Sequence, residues 1–212
     1  MTKLQVAIDL LTTEAALELA GKVAPYVDII ELGTPLIKAE GLSVVTAMKA
    51  AFPDKLVFAD MKTADTGALE AEMAFKAGAD LVTVMGAVDD ATIKGAVEAA
   101  KKYGRKVVVD TIGVKDRVQR AKEVTAFGVA FVELHAGLDE QALPGYSVQT
   151  LISEGREAKV PFSVAGGVNI DTIKDVVAAG ADVAVAGGAI YGAEDPAAAA
   201  KALKEAINSV TV

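Results

Sequence analysis

Eight short apolar runs recur along the chain: LQVAIDL, DIIELG, KLVFADMK, LVTVMG, KVVVDTIG, FVELHAG, PFSVAGG and VAVAGGAI. Runs that are apolar almost without interruption suit strands covered on both faces, which occur in parallel sheets flanked by helices. Segments of helical spacing lie between them, among them TTEAALELAGKVA, GLSVVTAMKAAF, GALEAEMAFKAG, DATIKGAVEAAKKYG and DPAAAAKALKEAINSV. Thr12 or Thr13 before Glu14, and Asp195 before Pro196, read as helix starts, while Gly78, Gly104 and Gly180 sit where helices should stop.

The chain also repeats itself weakly. Ala-Gly-Ala-Asp occurs at 77–80 and again at 179–182, each time just before an apolar run, and Phe127-Gly128-Val129-Ala130 is a looser copy. Eight strand–helix units exceed the five or six strands usual for an open doubly wound sheet, and there is no linker or charge block. The expected fold is therefore a (β/α)8 TIM barrel forming one domain over residues 1–212.

Composition narrows the function. A net charge of −8 without a basic run argues against nucleic acid or an anionic membrane surface as partner. No stretch approaches the roughly 18 to 20 apolar residues of a membrane span. The N-terminal MTKLQVAIDLL, interrupted by Asp9, reads as a first strand rather than a secretion signal, so a cytoplasmic location is expected. With no Cys and one His, thiolate sites and centres of several imidazoles are excluded, and a bound metal would need oxygen ligands.

Barrel active sites are built at the C-terminal ends of strands. Here Asp9 ends the first apolar run, Glu31 the second, Asp60 and Lys62 the third, Asp110 the fifth and His135 the sixth. One charged strand end alone reads as solvated or capping, but six polar residues on one rim converge on chemistry. Asp60-Met61-Lys62 puts a carboxylate and an ammonium on one strand face by the period of two, with Asp65 following in the loop. A lysine between acids stays protonated, which suits stabilising charge on a substrate oxygen. Glu31 and Asp60 end consecutive strands about 4.8 Å apart, close enough to share one hard cation, naturally Mg2+ with Mn2+ as the alternative. His135, on a strand face with Glu133, is a candidate for proton transfer near neutral pH. Ala165-Gly166-Gly167 and Ala186-Gly187-Gly188 end the seventh and eighth runs, where barrels commonly cradle a phosphate with backbone N–H groups.

Asp60, Lys62 and Asp65 match the D-x-K-x-x-D motif of the orotidine-monophosphate-decarboxylase superfamily, which the chain resembles. Within it, VAIDLL, DIIELGTPLIKAEG, FADMKTAD, HAGLDEQA, PFSVAGGV and VAVAGGAIYG resemble the 3-hexulose-6-phosphate synthases from end to end. The resemblance implies a Mg2+-dependent aldol condensation of formaldehyde with D-ribulose 5-phosphate, giving D-arabino-hex-3-ulose 6-phosphate in formaldehyde fixation. It implies Glu31 and Asp60 as metal ligands, Lys62 at the enediolate and His135 in proton transfer. It also implies Asp9 at substrate hydroxyls, and Gly166, Gly167, Gly187 and Gly188 at the phosphate. Asp65 would reach the neighbouring subunit's site, implying a homodimer with shared active sites. Asp110 either binds substrate or positions Lys62.

The nearest rival family, 3-keto-L-gulonate 6-phosphate decarboxylases, carries an Arg shortly after the histidine and another in the last phosphate loop. Here those places hold Ala136-Gly137-Leu138-Asp139 and Gly188. Orotidine decarboxylases fit less well, since no insertion is present to cover a pyrimidine, and ribulose-phosphate epimerases need more histidines. A non-catalytic sugar-phosphate-binding barrel would have no use for the full set of acids, lysine and histidine.

Overall fold

The computed structural model describes residues 1–210. Strands and helices alternate: β1 (Lys3–Ile8), α1 (Thr13–Val23), β2 (Ile29–Leu32), α2 (Thr34–Glu40), α3 (Ser43–Ala51), β3 (Leu56–Thr63), α4 (Gly67–Ala77), β4 (Leu81–Met85), α5 (Asp90–Tyr103), β5 (Lys106–Asp110) and α6 (Arg117–Thr125). The second half continues with β6 (Phe131–His135), α7 (Leu138–Gln141), α8 (Val148–Ala158), β7 (Phe162–Ala165), α9 (Ile173–Ala178), β8 (Val183–Ala186), α10 (Gly188–Tyr191) and α11 (Pro196–Asn208). The strands pair in parallel in sequence order, and β1 closes on β8, forming the expected (β/α)8 barrel.

The helix signals act as expected. The Thr12 side chain accepts from the Ala15 N–H, and Asp195 accepts from the Ala198 N–H ahead of Pro196. Gly78 and Gly104 close α4 and α5 in the left-handed conformation that a side chain disfavours. The repeated Asp also finds a reason. Asp80 and Asp182, just before β4 and β8, accept with their carboxylates from the Val57 and Phe162 N–H groups at the start of the preceding strands. Asp28 does the same for Leu4 before β2. Each carboxylate satisfies a backbone donor near the start of a strand, which would otherwise be buried unpaired.

Alternation along each strand separates two cores. Outward residues such as Leu4, Val6, Ile30, Val82 and Val109 pack against the helices, while Ile29, Phe58, Leu81, Val108 and Phe131 fill the barrel. Two residues further along those same strands the interior turns polar, giving Glu31, Asp60, Thr83, Asp110 and Glu133, all buried. On β7 and β8 the inward residues level with Glu133 and His135 are Ser163, Ala165, Val183 and Val185, small and uncharged. One side of the barrel mouth is therefore charged and the other open.

Candidate active site

A cavity of about 1240 Å3 opens at the C-terminal ends of the strands and is lined by Asp9, Glu31, Asp60, Lys62 and His135, with Gly166, Gly167, Gly187 and Gly188 also on its wall. Nearly all the rim residues singled out by sequence thus meet in one place. Asp65 does not line the cavity of its own chain; it is exposed in the loop after β3, where its Oδ1 accepts from the Thr66 N–H. Asp110 lies beneath the cavity wall, fully buried.

Lys62 is the hub. Its Nζ donates to Asp60 Oδ2 at 2.9 Å and to Asp110 Oδ2 at 2.7 Å. Simple alternation does not bring it there. The pairing of β3 with β4 shifts between Ala59 and Thr63, and Lys62 takes a left-handed φ of 43°. Such a conformation is costly for a non-glycine residue and persists only where its surroundings enforce it. Here the Lys62 N–H donates to Thr83 Oγ1 at 3.0 Å, and that hydroxyl donates on to Asp60 Oδ1 at 2.7 Å. Thr34, at the start of α2, donates to Asp60 Oδ2 at 2.7 Å, so Asp60 is held on both oxygens. Burial alone would lower the Lys62 pKa, but Asp60, Asp110 and Glu133 outweigh it and raise it, keeping the ammonium charged.

Asp110 connects lysine to histidine. Its Oδ2 also meets His135 Nδ1 at 2.9 Å, and its Oδ1 accepts from the Ile112 N–H at 2.8 Å. Burial would raise its pKa, yet His135 and Lys62 pull it below the ordinary carboxylate range, so it is an anion and an acceptor only. Nδ1 is then the donor, which leaves Nε2 as the free basic nitrogen.

The remaining acids are under-compensated. Glu31 accepts from Gln5 Nε2 at 2.7 Å, and burial together with the Asp60 charge pushes its carboxyl well above the usual range. Burial and Asp60 likewise raise Asp9, against the lowering influence of Lys62 and His135. Burial and Glu31 raise Glu133, whose Oε1 has no hydrogen-bond partner among the described residues. Among the described residues the carboxyl groups of Asp9, Glu31, Asp60, Asp110 and Glu133 have only Lys62 and His135 as basic neighbours, and this excess of clustered carboxyl oxygens fits a hard divalent cation. Asp110, Glu133 and His135 present ligand atoms within 4.8 Å of one another, but the Lys62 ammonium already occupies the Asp110 oxygen. Glu31 has no cationic hydrogen-bond partner among the described residues, which makes it the better anchor for an ion.

Sequence reasoning passed over Gly33. A Cβ there would lie 2.0 Å from Asp9 Oδ1 and 2.8 Å from the Ile8 carbonyl, so only glycine lets the Asp9 carboxylate pack between β1 and β2. Its signal was Gly-Thr-Pro directly after an apolar run, a helix start with Pro in the first turn, and that helix brings Thr34 to Asp60. Across the barrel from β3, the loop after β7 carries Gly166 and Gly167 at φ of 110° and 78°, conformations that glycine adopts without strain.

Comparison with known proteins agrees with this geometry. Residues 2–203 match the model of the Orotidine 5'-phosphate decarboxylase / HUMPS family. The chain is 70% identical over 205 residues to the 3-hexulose-6-phosphate synthase of Mycobacterium gastri, covering 97% of this chain and 99% of that protein. A crystal structure of a 3-hexulose-6-phosphate synthase superposes with a TM-score of 0.96 at 70% identity, covering 97% of this chain and all of the other. The 3-keto-L-gulonate-6-phosphate decarboxylase of Vibrio cholerae superposes with a TM-score of 0.87 at 31% identity, covering 98% and 97%. On its sequence, its closed barrel and its rim, the chain belongs to the Orotidine 5'-phosphate decarboxylase / HUMPS family and resembles the 3-hexulose-6-phosphate synthases within it.

Proposed function

We propose that this chain catalyses the aldol condensation of formaldehyde with D-ribulose 5-phosphate to D-arabino-hex-3-ulose 6-phosphate, as a metal-dependent aldehyde-lyase. The observation that carries the reading is the hydrogen-bonded chain Asp60–Lys62–Asp110–His135, set on one cavity opposite the Gly166-Gly167 loop. The names of the relatives point to the same reaction.

Glu31 and Asp60 would hold Mg2+, or Mn2+, which when bound polarises the ketone and acidifies its neighbouring C–H. The glycine loops after β7 and β8 hold the phosphate, and Asp9 meets substrate hydroxyls. His135 Nε2 takes a proton from C1, and the Lys62 ammonium stabilises the negative charge that develops on the enediolate oxygen. C1 then forms a bond to the formaldehyde carbon, and the formaldehyde oxygen recovers the proton from His135, so no atom is lost. Lys62, held charged by its acids, is no nucleophile, and no Schiff base is formed.

Asp65 completes the site of a second subunit in this reading. Support comes from α4, which follows it directly and exposes Leu69 and Met73 four residues apart on one helical face.

Formaldehyde loss with ribulose 5-phosphate and Mg2+, followed with and without EDTA, tests the reading, with CO2 release from 3-keto-gulonate 6-phosphate run in parallel. Metal-dependent formaldehyde consumption well above decarboxylation is expected. The reverse ranking would move the activity to the decarboxylases.

A further inference from the structure

The segment after β6 touches the glycine loop after β7 at defined points, and nothing in the reaction above uses those contacts. Tyr146 Oη donates to the Gly166 carbonyl at 2.7 Å, and Gln141 Nε2 donates to the Ala136 carbonyl at 2.8 Å. Ala136 in turn donates its N–H to the Ala165 carbonyl. A Cβ on Gly166 would lie 2.5 Å from the Ala136 oxygen, 3.1 Å from Tyr146 Oη and 3.2 Å from Gln141 Nε2, so the glycine is enclosed on that side. The Tyr146 ring also lies beside Gly167, within 3.6 Å of where its Cβ would be.

The consequence follows from peptide planarity. In a trans peptide the carbonyl and the following N–H point in opposite directions. A hydrogen bond that turns the Gly166 carbonyl toward Tyr146 therefore turns the Gly167 N–H away from it. Among the described residues that N–H donates to no acceptor, and Gly167 lines the cavity. Tyr146 can hold this position because its own surroundings are fixed. The ring packs against the outer core, and Glu140, in the short helix α7 just upstream, accepts with both carboxylate oxygens from Arg117 Nη2 at 2.6 Å.

We propose that Tyr146, assisted by Gln141, is a positioning residue for the phosphate: it orients the Gly166–Gly167 peptide so that its N–H faces the anion. Tyr146, which does not itself line the cavity, thereby sets affinity for the phosphate end of the substrate through the backbone it holds. This rests on the reading of the glycine loop as the phosphate cradle.

Tyr146→Phe removes the hydroxyl and leaves the ring. One lost hydrogen bond of ordinary strength predicts a weakening of about 3- to 10-fold in phosphate affinity. The experiment is titration calorimetry of the whole protein and of the variant with inorganic phosphate and with ribulose 5-phosphate, joined to steady-state kinetics. Both dissociation constants should rise by the same factor, with the KM for ribulose 5-phosphate following them. The kcat, the KM for formaldehyde and the melting temperature should stay where they were. Unchanged phosphate affinity, weakening confined to the sugar phosphate, or a joint fall of kcat and melting temperature would each overturn the proposal. If phosphate binding responds to Tyr146→Phe but the protein does not turn over ribulose 5-phosphate, the inference stands and the reaction assignment falls.

Discussion

Replacing Asp110 with Asn changes one atom and one charge at the point where lysine and histidine meet. The Ile112 N–H bonds to Oδ1 at 2.8 Å and would keep the amide oxygen on that side, so the new NH2 takes the place of Oδ2. A donor then faces the Lys62 ammonium, formerly 2.7 Å from an acceptor, and the His135 Nδ1 formerly at 2.9 Å. To accept from the amide, Nδ1 must give up its proton, and Nε2 becomes the protonated nitrogen. The base is thus lost by tautomer, with the ring still in place. Each charge-assisted bond removed is worth about 1.5 to 3 kcal/mol, and the two losses are coupled rather than additive. A fall in kcat of about 10^2- to 10^4-fold is expected, in the range that the same exchange produces where a carboxylate orients a catalytic histidine. Because Asp110 is fully buried and does not line the cavity, the KM for ribulose 5-phosphate should change little. Initial rates of formaldehyde consumption at saturating ribulose 5-phosphate measure this, with thermal denaturation as a check on folding. A kcat within about threefold of the parent protein, or a rise in KM at unchanged kcat, would refute the positioning argument; the second result would assign Asp110 to substrate binding.

Two further tests address the rest of the site. Gly33→Ala forces a methyl group against Asp9 Oδ1 and the Ile8 carbonyl, so it should cost about 1 to 3 kcal/mol in thermal denaturation and at least tenfold in kcat as Asp9 is displaced; near-parental values would show that Asp9 is not needed where it stands. Metal-free protein should melt at a higher temperature near pH 5.5 than near pH 7.5. Burial raises Glu31 and Glu133 above their unfolded values of about 4.3, so the folded state keeps protons that the unfolded state releases, and stability declines as pH rises from there toward the raised folded values, by about 1.4 kcal/mol per pH unit for each proton. Asp110, whose folded pKa is lowered, contributes stability that is already complete above about pH 4 and adds no slope in this window. Added Mg2+ should raise the melting temperature more near pH 7.5 than near pH 5.5, and an equal effect at both would argue against Glu31 as its ligand.

The barrel was legible because parallel strands buried on both faces must be apolar nearly throughout, and the rim because a charged residue at the end of such a strand breaks that pattern. What stayed hidden were polar groups that satisfy other polar groups. Thr83 lies in the middle of LVTVMG, where a β-branched residue is expected in any case, and its role depends on the shifted register of β3. Lys62 was placed beside Asp60 by alternation, whereas a left-handed turn at Lys62 brings the pair together. Gln5 and Ser163 are fully buried inside strands and carry no local signal at all. Tyr146 and Arg117 act across loops, through contacts that only the closed barrel creates. The Asp of the repeated Ala-Gly-Ala-Asp was visible, but its purpose needed the strand before it, and Asp28 performs the same task without the motif.

The polar interior layer explains how one regular fold yields a lopsided site. On β2 to β6 the residue two positions after the apolar filler is Glu31, Asp60, Thr83, Asp110 or Glu133, while β7 and β8 carry the small, uncharged Ser163, Ala165, Val183 and Val185. The first group concentrates negative charge against low-dielectric walls, which raises Glu31 and Glu133 and keeps Lys62 protonated. The second leaves room, and the glycines that follow it place backbone on the cavity wall without bulky side chains. For the phosphorylated substrate proposed above, this layout favours one orientation, with the phosphate at the glycine loops and the carbonyl carbons at the charged end. Removing negative charge from the acidic end relaxes that orientation, whereas adding it at Gly188 would oppose the phosphate directly. On the proposed reaction, the order of side chains along the strands would set the direction of the substrate as well as the place of the chemistry.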